Sequence, residues 1–349
     1  SMCGIVAYLG PKPAFPILIA GLKRLEYRGY DSAGVAIIES TDGASSELVV
    51  RKKKGKVSDL VSHVGKEGFL GNVGIGHTRW ATHGPPNDIN AHPHRASKGR
   101  IAIIHNGIIE NFVALRETLD QRGHSLLSDT DSEVLIHLIE EIMLGSGLDL
   151  FDAVRSALRQ VVGAYAIVVI DRENPDVLIA ARKSSPLVIG MGKDGAFYVA
   201  SDATPIIPYT KNVVYLDDEE VASLDLNEGL KIRTISNVAI TPEIHALEIE
   251  IEAIEKGGYE HFMLKEIYEQ PDVILKAGET TEDGIKKAVE YIKNAKNIYI
   301  TGSGTSYNSA LIAKQILSKY VKIKSEPIIA SELQFAPDTI EENSIFIAI

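Results

Sequence analysis

The chain contains one cysteine, Cys3, in the opening Ser1-Met2-Cys3-Gly4-Ile5-Val6. It has no second thiol for a disulfide, and a terminal position is a poor anchor for a core. Three other segments concentrate polar side chains beyond what a loop requires. Gly76-His77-Thr78-Arg79-Trp80-Ala81-Thr82-His83-Gly84 holds the single Trp, His105-Asn106-Gly107 closes an apolar run, and Ser128-Asp129-Thr130-Asp131-Ser132-Glu133 precedes a helical pattern. Together they supply the parts for acyl transfer from an amide. Cys3 is the nucleophile. The Asn106 side-chain N–H and the Gly107 backbone N–H form an oxyanion hole, where one donor is typically worth ~3 kcal/mol. Arg79 suits a substrate α-carboxylate as a bidentate fork, and Asp131 suits an α-ammonium. Each also has a plainer reading: Asn106-Gly107 as a hairpin turn, Asp131 or Ser128 as a helix cap, Arg79 as a surface cation. No convincing base lies nearby. A nucleophile that begins a mature chain can use its own α-amine, whose pKa is about 8.

The elements that must hold these groups follow from periodicity. Ile5 to Leu9 reads as a strand and Pro13 to Glu26 as a helix. Gly34 to Ile38 and Leu48 to Arg51 read as strands around the Asp42-Gly43 turn. Ile101 to Ile104 is a strand running into His105. Ile109 to Arg122, Ser132 to Met143 and Leu150 to Val161 are helical. From Gly163 to Ile232 short strands follow one another closely, which demands antiparallel hairpins covered by the preceding helices. Beyond an acidic stretch from His245 to Lys256 the rhythm becomes helix (Glu282 to Asn294), strand (Asn297 to Ile300), Gly302-Ser303-Gly304-Thr305-Ser306, then helix from about Ser309 to Lys319. Val321 to Ile323 and Ser344 to Ile349 are further strands, giving a parallel α/β pattern.

Composition sets bounds. At 349 residues and 45% hydrophobic, the chain has room for about two domains. A net charge of -11 argues against a general nucleic-acid binder. No apolar run approaches the ~20 residues of a membrane span, and no export signal opens the chain. Cysteine scarcity adds to a cytoplasmic expectation.

The strings Cys3-Gly4-Ile5-Val6, Tyr27-Arg28-Gly29-Tyr30-Asp31-Ser32-Ala33-Gly34, His77 to Gly84, Asn90-Ala91-His92-Pro93-His94, His105 to Asn111 and Thr130 to Val134 closely resemble the N-terminal-nucleophile glutaminase domain of the glutamine–fructose-6-phosphate aminotransferase family. His261 to Pro271 resembles that family's segment after the interdomain linker, and Gly302 to Asn308 its first sugar-phosphate loop. The resemblance covers essentially the whole chain. It implies an α+β four-layer αββα sandwich over 3–240, a linker and helical lead-in over 241–280, and the first part of an α/β parallel-sheet isomerase (SIS) domain over 281–349.

By the same resemblance Cys3 is the nucleophile, Asn106 and Gly107 form the oxyanion hole, and Arg79, Thr82, His83, Gly107 and Asp131 line a glutamine site. Trp80 resembles the gate to ammonia passage, and Arg28, His92 and His105 match positions that organise the site or its link to the second domain. Ser303, Gly304, Thr305 and Ser306 match the phosphate loop, a strand–loop–helix context that also suits an anion by itself. The implied partners are L-glutamine and fructose 6-phosphate or a related sugar phosphate, with a homodimer in the full-length enzyme. No cofactor or metal is implied.

Three departures carry expectations. Ser1 and Met2 precede the nucleophile. Met before Cys is the normal substrate of initiator-methionine removal, and Ser1 looks like the scar of a cleaved expression tag that would shield Met2. Retained, the two would replace the catalytic amine with an amide and lower glutamine hydrolysis. The second phosphate loop and the isomerising Glu, His and Lys would lie beyond Ile349, so this polypeptide is expected to keep at most the glutaminase half-reaction. Ser331 to Ala336 also differs from the basic, aromatic stretch of familiar members, which leaves the acceptor sugar open. Two other readings are weighed. One is a related amidotransferase serving asparagine, phosphoribosyl or glutamate synthesis, which the Lys265–Pro271 and Gly302–Ser306 strings oppose. The other is a sugar-phosphate-binding regulator with an inert glutaminase-like domain, which the intact Cys3, Arg79, Asn106, Gly107 and Asp131 oppose.

Overall fold

Near-continuous apolar runs, buried on both faces, build two stacked antiparallel sheets in the first of two units. The computed structural model describes residues 3–40, 46–65, 68–80, 84–247, 259, 261–277, 282–335 and 342–349. It divides into Ser1–Gly258 and Tyr259–Ile349. In the first unit the strands are β1 (Gly4–Leu9), β2 (Ser32–Ser40), β3 (Ser46–Lys54), β4 (Val73–Arg79), β5 (His94–Arg95), β6 (Ile101–Ile109), β7 (Gly163–Asp171) and β8 (Val177–Lys183). They are followed by β9 (Val188–Met191), β10 (Phe197–Ala200), β11 (Asn212–Tyr215), β12 (Glu220–Asp225), β13 (Gly229–Thr234), β14 (Ala239–Ile240) and β15 (His245–Ala246). One eight-stranded sheet runs β15-β11-β9-β10-β1-β4-β2-β3 and a seven-stranded one runs β14-β13-β12-β8-β7-β6-β5.

Period-two alternation sorts the layers. Ile5, Ala7 and Leu9 of β1 face the second sheet, where Ala102, Ile104, Ala166 and Val168 meet them. Val6 and Tyr8 point the other way, onto Leu18 and Leu22 of α1 (Ala14–Leu25). The outer face of the second sheet, including Ile103 and Val169, packs on Val134, Leu135 and Ile139 of α4 (Asp131–Ser146) and Val154 of α5 (Leu150–Leu158). With α2 (Val57–Val64) beside α1 and α3 (Phe112–Gln121) beside α4, the order is helices, sheet, sheet, helices. This is the expected αββα sandwich. Burying each leucine of α1 contributes about 1.5–3 kcal/mol, and Leu22→Ala would lose about 2–5 kcal/mol.

Several elements escape the periodicity reading: α2, the two-residue strands β5, β14 and β15 and, most consequentially, β4. The string Val73-Gly-Ile-Gly-His-Thr-Arg79 is buried at every residue, but glycines take the positions facing α1. A Cβ on Gly76 would lie 3.1 Å from Leu22 Cδ1, and one on Gly74 would lie 2.9 Å from Leu18 Cδ1. The helix therefore sits close, and the apolar alternation that marks a strand is lost from the sequence.

The second unit carries α6 (Phe262–Ala277), α7 (Glu282–Asn294), β16 (Asn297–Gly302), α8 (Thr305–Ile316), β17 (Lys324–Ile329) and β18 (Ser344–Ala348). Its three strands are parallel, with β16 in the centre. Ile298 and Ile300 pack against Ala310 of α8 in a small core. Two local expectations change. The helix begins at Thr305 rather than near Ser309. Val321 to Ile323 is not a strand, because a π-helical turn at Leu317–Val321 ends at Lys322 in the left-handed region (φ 58) and the chain extends only afterwards. No helix among the described residues is long and apolar enough to cross a membrane.

Candidate active site

Cys3 immediately precedes β1, a strand hydrogen-bonded on both sides, by β4 and by β10. That central position fixes the thiol far more firmly than its place in the sequence suggests. The register pairs Gly4 with Thr78, so the end of β4 runs past Cys3. The Trp80 backbone N–H donates to Cys3 Sγ at 3.2 Å, and Sγ lies 3.5 Å from the Trp80 carbonyl oxygen. Burial raises the thiol pKa, opposed by the Trp80 N–H and the Arg79 charge and reinforced by Asp31. The resting sulfur is therefore a thiol, and attack requires a proton acceptor.

Asn106 arrives from the other sheet. It shares the inward face of β6 with Ala102 and Ile104 by two-residue spacing, which aims its amide between the sheets. Asn106 Nδ2 donates to the Cys3 carbonyl oxygen at 3.1 Å. Its Oδ1 accepts from His77 Nε2 at 2.8 Å, and the same nitrogen lies 3.1 Å from the His105 carbonyl oxygen. Two acceptors at one nitrogen place the His77 proton on Nε2. Gly107 follows with φ 120, and a Cβ there would sit 2.2 Å from the Ala164 carbonyl oxygen of β7. Glycine is thus required, and the hairpin-turn reading of Asn106-Gly107 is overturned: both lie inside β6, paired with Ala166 and Tyr165.

Behind Asn106 the imidazoles form a stack. His92 lies 4.2 Å from His77, ring to ring, and 4.7 Å from His94 edge-on. His94 Nε2 meets Thr130 Oγ1 at 3.0 Å, and His105 Nδ1 meets Ser132 Oγ at 2.8 Å. Desolvation pushes His77 down to about 3 and holds His92 and His94 well below the ordinary imidazole value. These rings are neutral supports.

Arg79 is 4% exposed, so it is not a surface cation. Its guanidinium donates to the Pro85 and Gly84 carbonyl oxygens, each at 3.4 Å. Burial lowers its pKa, while Asp31, Cys3 and Asp131 favour its charge. Asp131 opens α4 and is also buried; its Oδ2 accepts the Ile109 N–H at 2.8 Å. The helix N-terminus favours a carboxylate there. The cap itself is Thr130, whose side chain accepts from the Glu133 N–H, rather than Asp131 or Ser128.

Cys3, Asn106, His77 and His92 are thus linked in series, Arg79 acts electrostatically on Cys3 and Asp131, and His105 Nδ1 lies 4.0 Å from Asp131 Oδ1. Trp80 is beside them with its side chain 44% exposed. Thr82 and His83 lie outside the described residues, as do Ser1 and Met2; Arg28 lies in a 3₁₀ turn, Glu26–Arg28. Ser303 and Gly304 lie between β16 and α8 in the second unit, and Thr305 and Ser306 form the first turn of α8. The sequence reading assigned no role to His77 or Asp31. Knowing β4 to be a strand would have found His77, since it shares a face with Arg79 two residues on.

A family profile described as a glutamine amidotransferase domain matches residues 58–260. The glutamine–fructose-6-phosphate aminotransferase (isomerizing) of Bacteroides thetaiotaomicron is 48% identical over all of this chain and 57% of its own length. That of Pyrococcus horikoshii is 45% identical, again over the whole chain and 57% of its own. The chain therefore spans somewhat over half the length of the relatives it matches. Among solved structures, the glutamine phosphoribosylpyrophosphate amidotransferase of B. subtilis superposes with a TM-score of 0.58 at 22% identity, covering 93% of this chain and 65% of that one, a likeness of fold.

Proposed function

The chain belongs to the glutamine amidotransferase family, and from that premise we propose that its first unit hydrolyses L-glutamine through a Cys3 thioester as the glutaminase half of a glutamine–fructose-6-phosphate aminotransferase. The observation that carries this reading is the bridge from His77 through Asn106 to Cys3, which holds an amide against the backbone carbonyl of the nucleophile residue from across the sandwich.

Arg79 holds the α-carboxylate of glutamine and Asp131 its α-ammonium, presenting the side-chain amide carbon to Cys3 Sγ. The thiol proton passes to the α-amine that Cys3 bears once Ser1 and Met2 are removed, and sulfur forms a bond to the amide carbon. The oxyanion is held by Asn106 Nδ2–H and Gly107 N–H. Its collapse breaks the C–N bond, with the amine returning the proton to the departing ammonia. Water then hydrolyses the thioester to glutamate and free thiol. The neutral His77 imidazole behind Asn106 holds this donor in place. By the family resemblance, Trp80 gates ammonia passage and Thr82 and His83 help bind glutamine. In the complete enzyme ammonia passes to fructose 6-phosphate, whose phosphate meets Ser303, Gly304, Thr305 and Ser306.

A diazoketone analogue of glutamine tests the assignment. With Cys3 as first residue, one adduct per chain is expected, on Cys3 and blocked by excess glutamine. No adduct, or one elsewhere, would mean an inert glutaminase-like domain.

A further inference from the structure

The outer helical layer holds a second histidine pair that the chemistry above does not use. His124, just after α3, and His137, midway along α4, are thirteen residues apart in sequence. Their Nδ1 atoms are 3.1 Å apart, with the rings 5.3 Å apart at 77°. Each ring turns its other nitrogen to a carboxylate. His124 Nε2 lies 2.8 Å from Glu141 Oε2, and His137 Nε2 lies 3.7 Å from Glu133 Oε1. An ionised carboxylate only accepts, so His124 Nε2 carries hydrogen and His124 Nδ1 holds a lone pair. That lone pair faces His137 Nδ1, which either donates to it or, as the other tautomer, offers a second lone pair to a shared cation.

Glu140 supplies a third group. It is 3% exposed, and ligand atoms of His124, His137 and Glu140 all lie within 4.8 Å of one another. His137 and Glu140 are one helical step apart on the same face of α4. The Glu140 carboxylate accepts from Ser97 N–H at 3.2 Å, Ser97 Oγ at 2.5 Å and Lys98 N–H at 2.9 Å. Those bonds hold it in place and leave lone pairs free. We propose that His124 Nδ1, His137 Nδ1 and the Glu140 carboxylate bind one divalent transition-metal ion of the zinc class, with water completing the shell.

Two imidazoles and a carboxylate select zinc or cobalt over magnesium or calcium. At a metal–nitrogen distance of about 2.05 Å, the Nδ1 separation subtends about 100°, near the tetrahedral value. Glu140 Oε1, which accepts only the Lys98 N–H, keeps a lone pair for the ion. Glu141 and Glu133 then serve as the outer carboxylates that metal-bound imidazoles ordinarily have, fixing each tautomer. The ion would tie the end of α3 and the Ser97–Lys98 turn to α4, the helix whose first residue is Asp131.

Cobalt titration of chelator-treated protein tests this. The expected result is one Co²⁺ per chain, with visible ligand-field bands and no thiolate charge-transfer band, which separates the site from Cys3. His124→Gln and His137→Gln should each weaken binding at least tenfold and abolish the rise in Tm that Zn²⁺ gives the unaltered protein. His124→Gln, at the rim, keeps the test available should His137→Gln fail to fold. No cobalt spectrum, or one unchanged in either variant, would overturn the proposal and leave an ordinary N–H···N hydrogen bond between the rings.

Discussion

The Asn106 amide links His77 to Cys3: its Oδ1 accepts from His77 Nε2 at 2.8 Å while its Nδ2 donates to the Cys3 carbonyl oxygen at 3.1 Å. The orientation of the catalytic donor is thereby set from behind. Asn106→Asp keeps an acceptor for His77 and loses the donor toward the nucleophile. It should lower kcat for glutamine hydrolysis about 10²–10³-fold with KM little changed. A variant of near-normal kcat would remove Asn106 from the oxyanion hole.

His77 is a positioning residue, and its variants should separate orientation from mere packing. His77→Ala frees the Asn106 amide, and misplacement of a donor by ~1 Å can cost up to about 10² in rate. The loss should fall on kcat. His77→Gln, which restores an N–H donor, should recover a substantial part. Equal kcat in the alanine variant and the parent would contradict the role.

Asp131 is buried, its Oδ2 accepting the Ile109 N–H and its Oδ1 the Ser132 hydroxyl at 3.4 Å, and each oxygen keeps a lone pair for a substrate ammonium. Replacement by Asn removes the charge and keeps the shape. KM for glutamine should rise roughly 10–100-fold, the equivalent of ~1.5–3 kcal/mol for a charged hydrogen bond. An unchanged KM would place the ammonium elsewhere.

Stability should depend on pH through the imidazole stack. Burial leaves His77 near 3 and His92 and His94 well below the usual value. These rings stay neutral when folded and take up protons in the unfolded chain as the pH falls below about 6.5. The unfolded state then binds more protons, so stability is fully present above that pH and declines toward the folded pKa. Each ring contributes up to about 1.4 kcal/mol per pH unit in that window. Urea midpoints at pH 7, 6 and 5 should fall progressively, and His77→Gln should flatten the fall. Constant midpoints would contradict the buried neutral stack.

Sheets covered by helices were legible because β1, β2, β6 and β7 are short apolar runs and the helices facing them repeat at helical spacing, while the four-layer order rested on the family resemblance. Cys3, Arg79, Asn106 and Asp131 stood out because polar residues broke those patterns. What the pattern concealed was β4, whose Gly74 and Gly76 admit α1 at the cost of apolar periodicity. With β4 hidden, His77 could not be assigned a face, and its grip on Asn106 stayed invisible. The His124–His137 pair was hidden for another reason: the rings meet only once α3 and the loop after it fold against α4.

The central claim is that Cys3 attacks glutamine with its own α-amine as the proton acceptor. Glutamate release should be measured for two forms of the chain, one beginning at Cys3 and one retaining Ser1-Met2. The form beginning at Cys3 should be faster by about 10²-fold or more, the usual scale of a positioned general base. Equal, high rates in both forms would contradict the account.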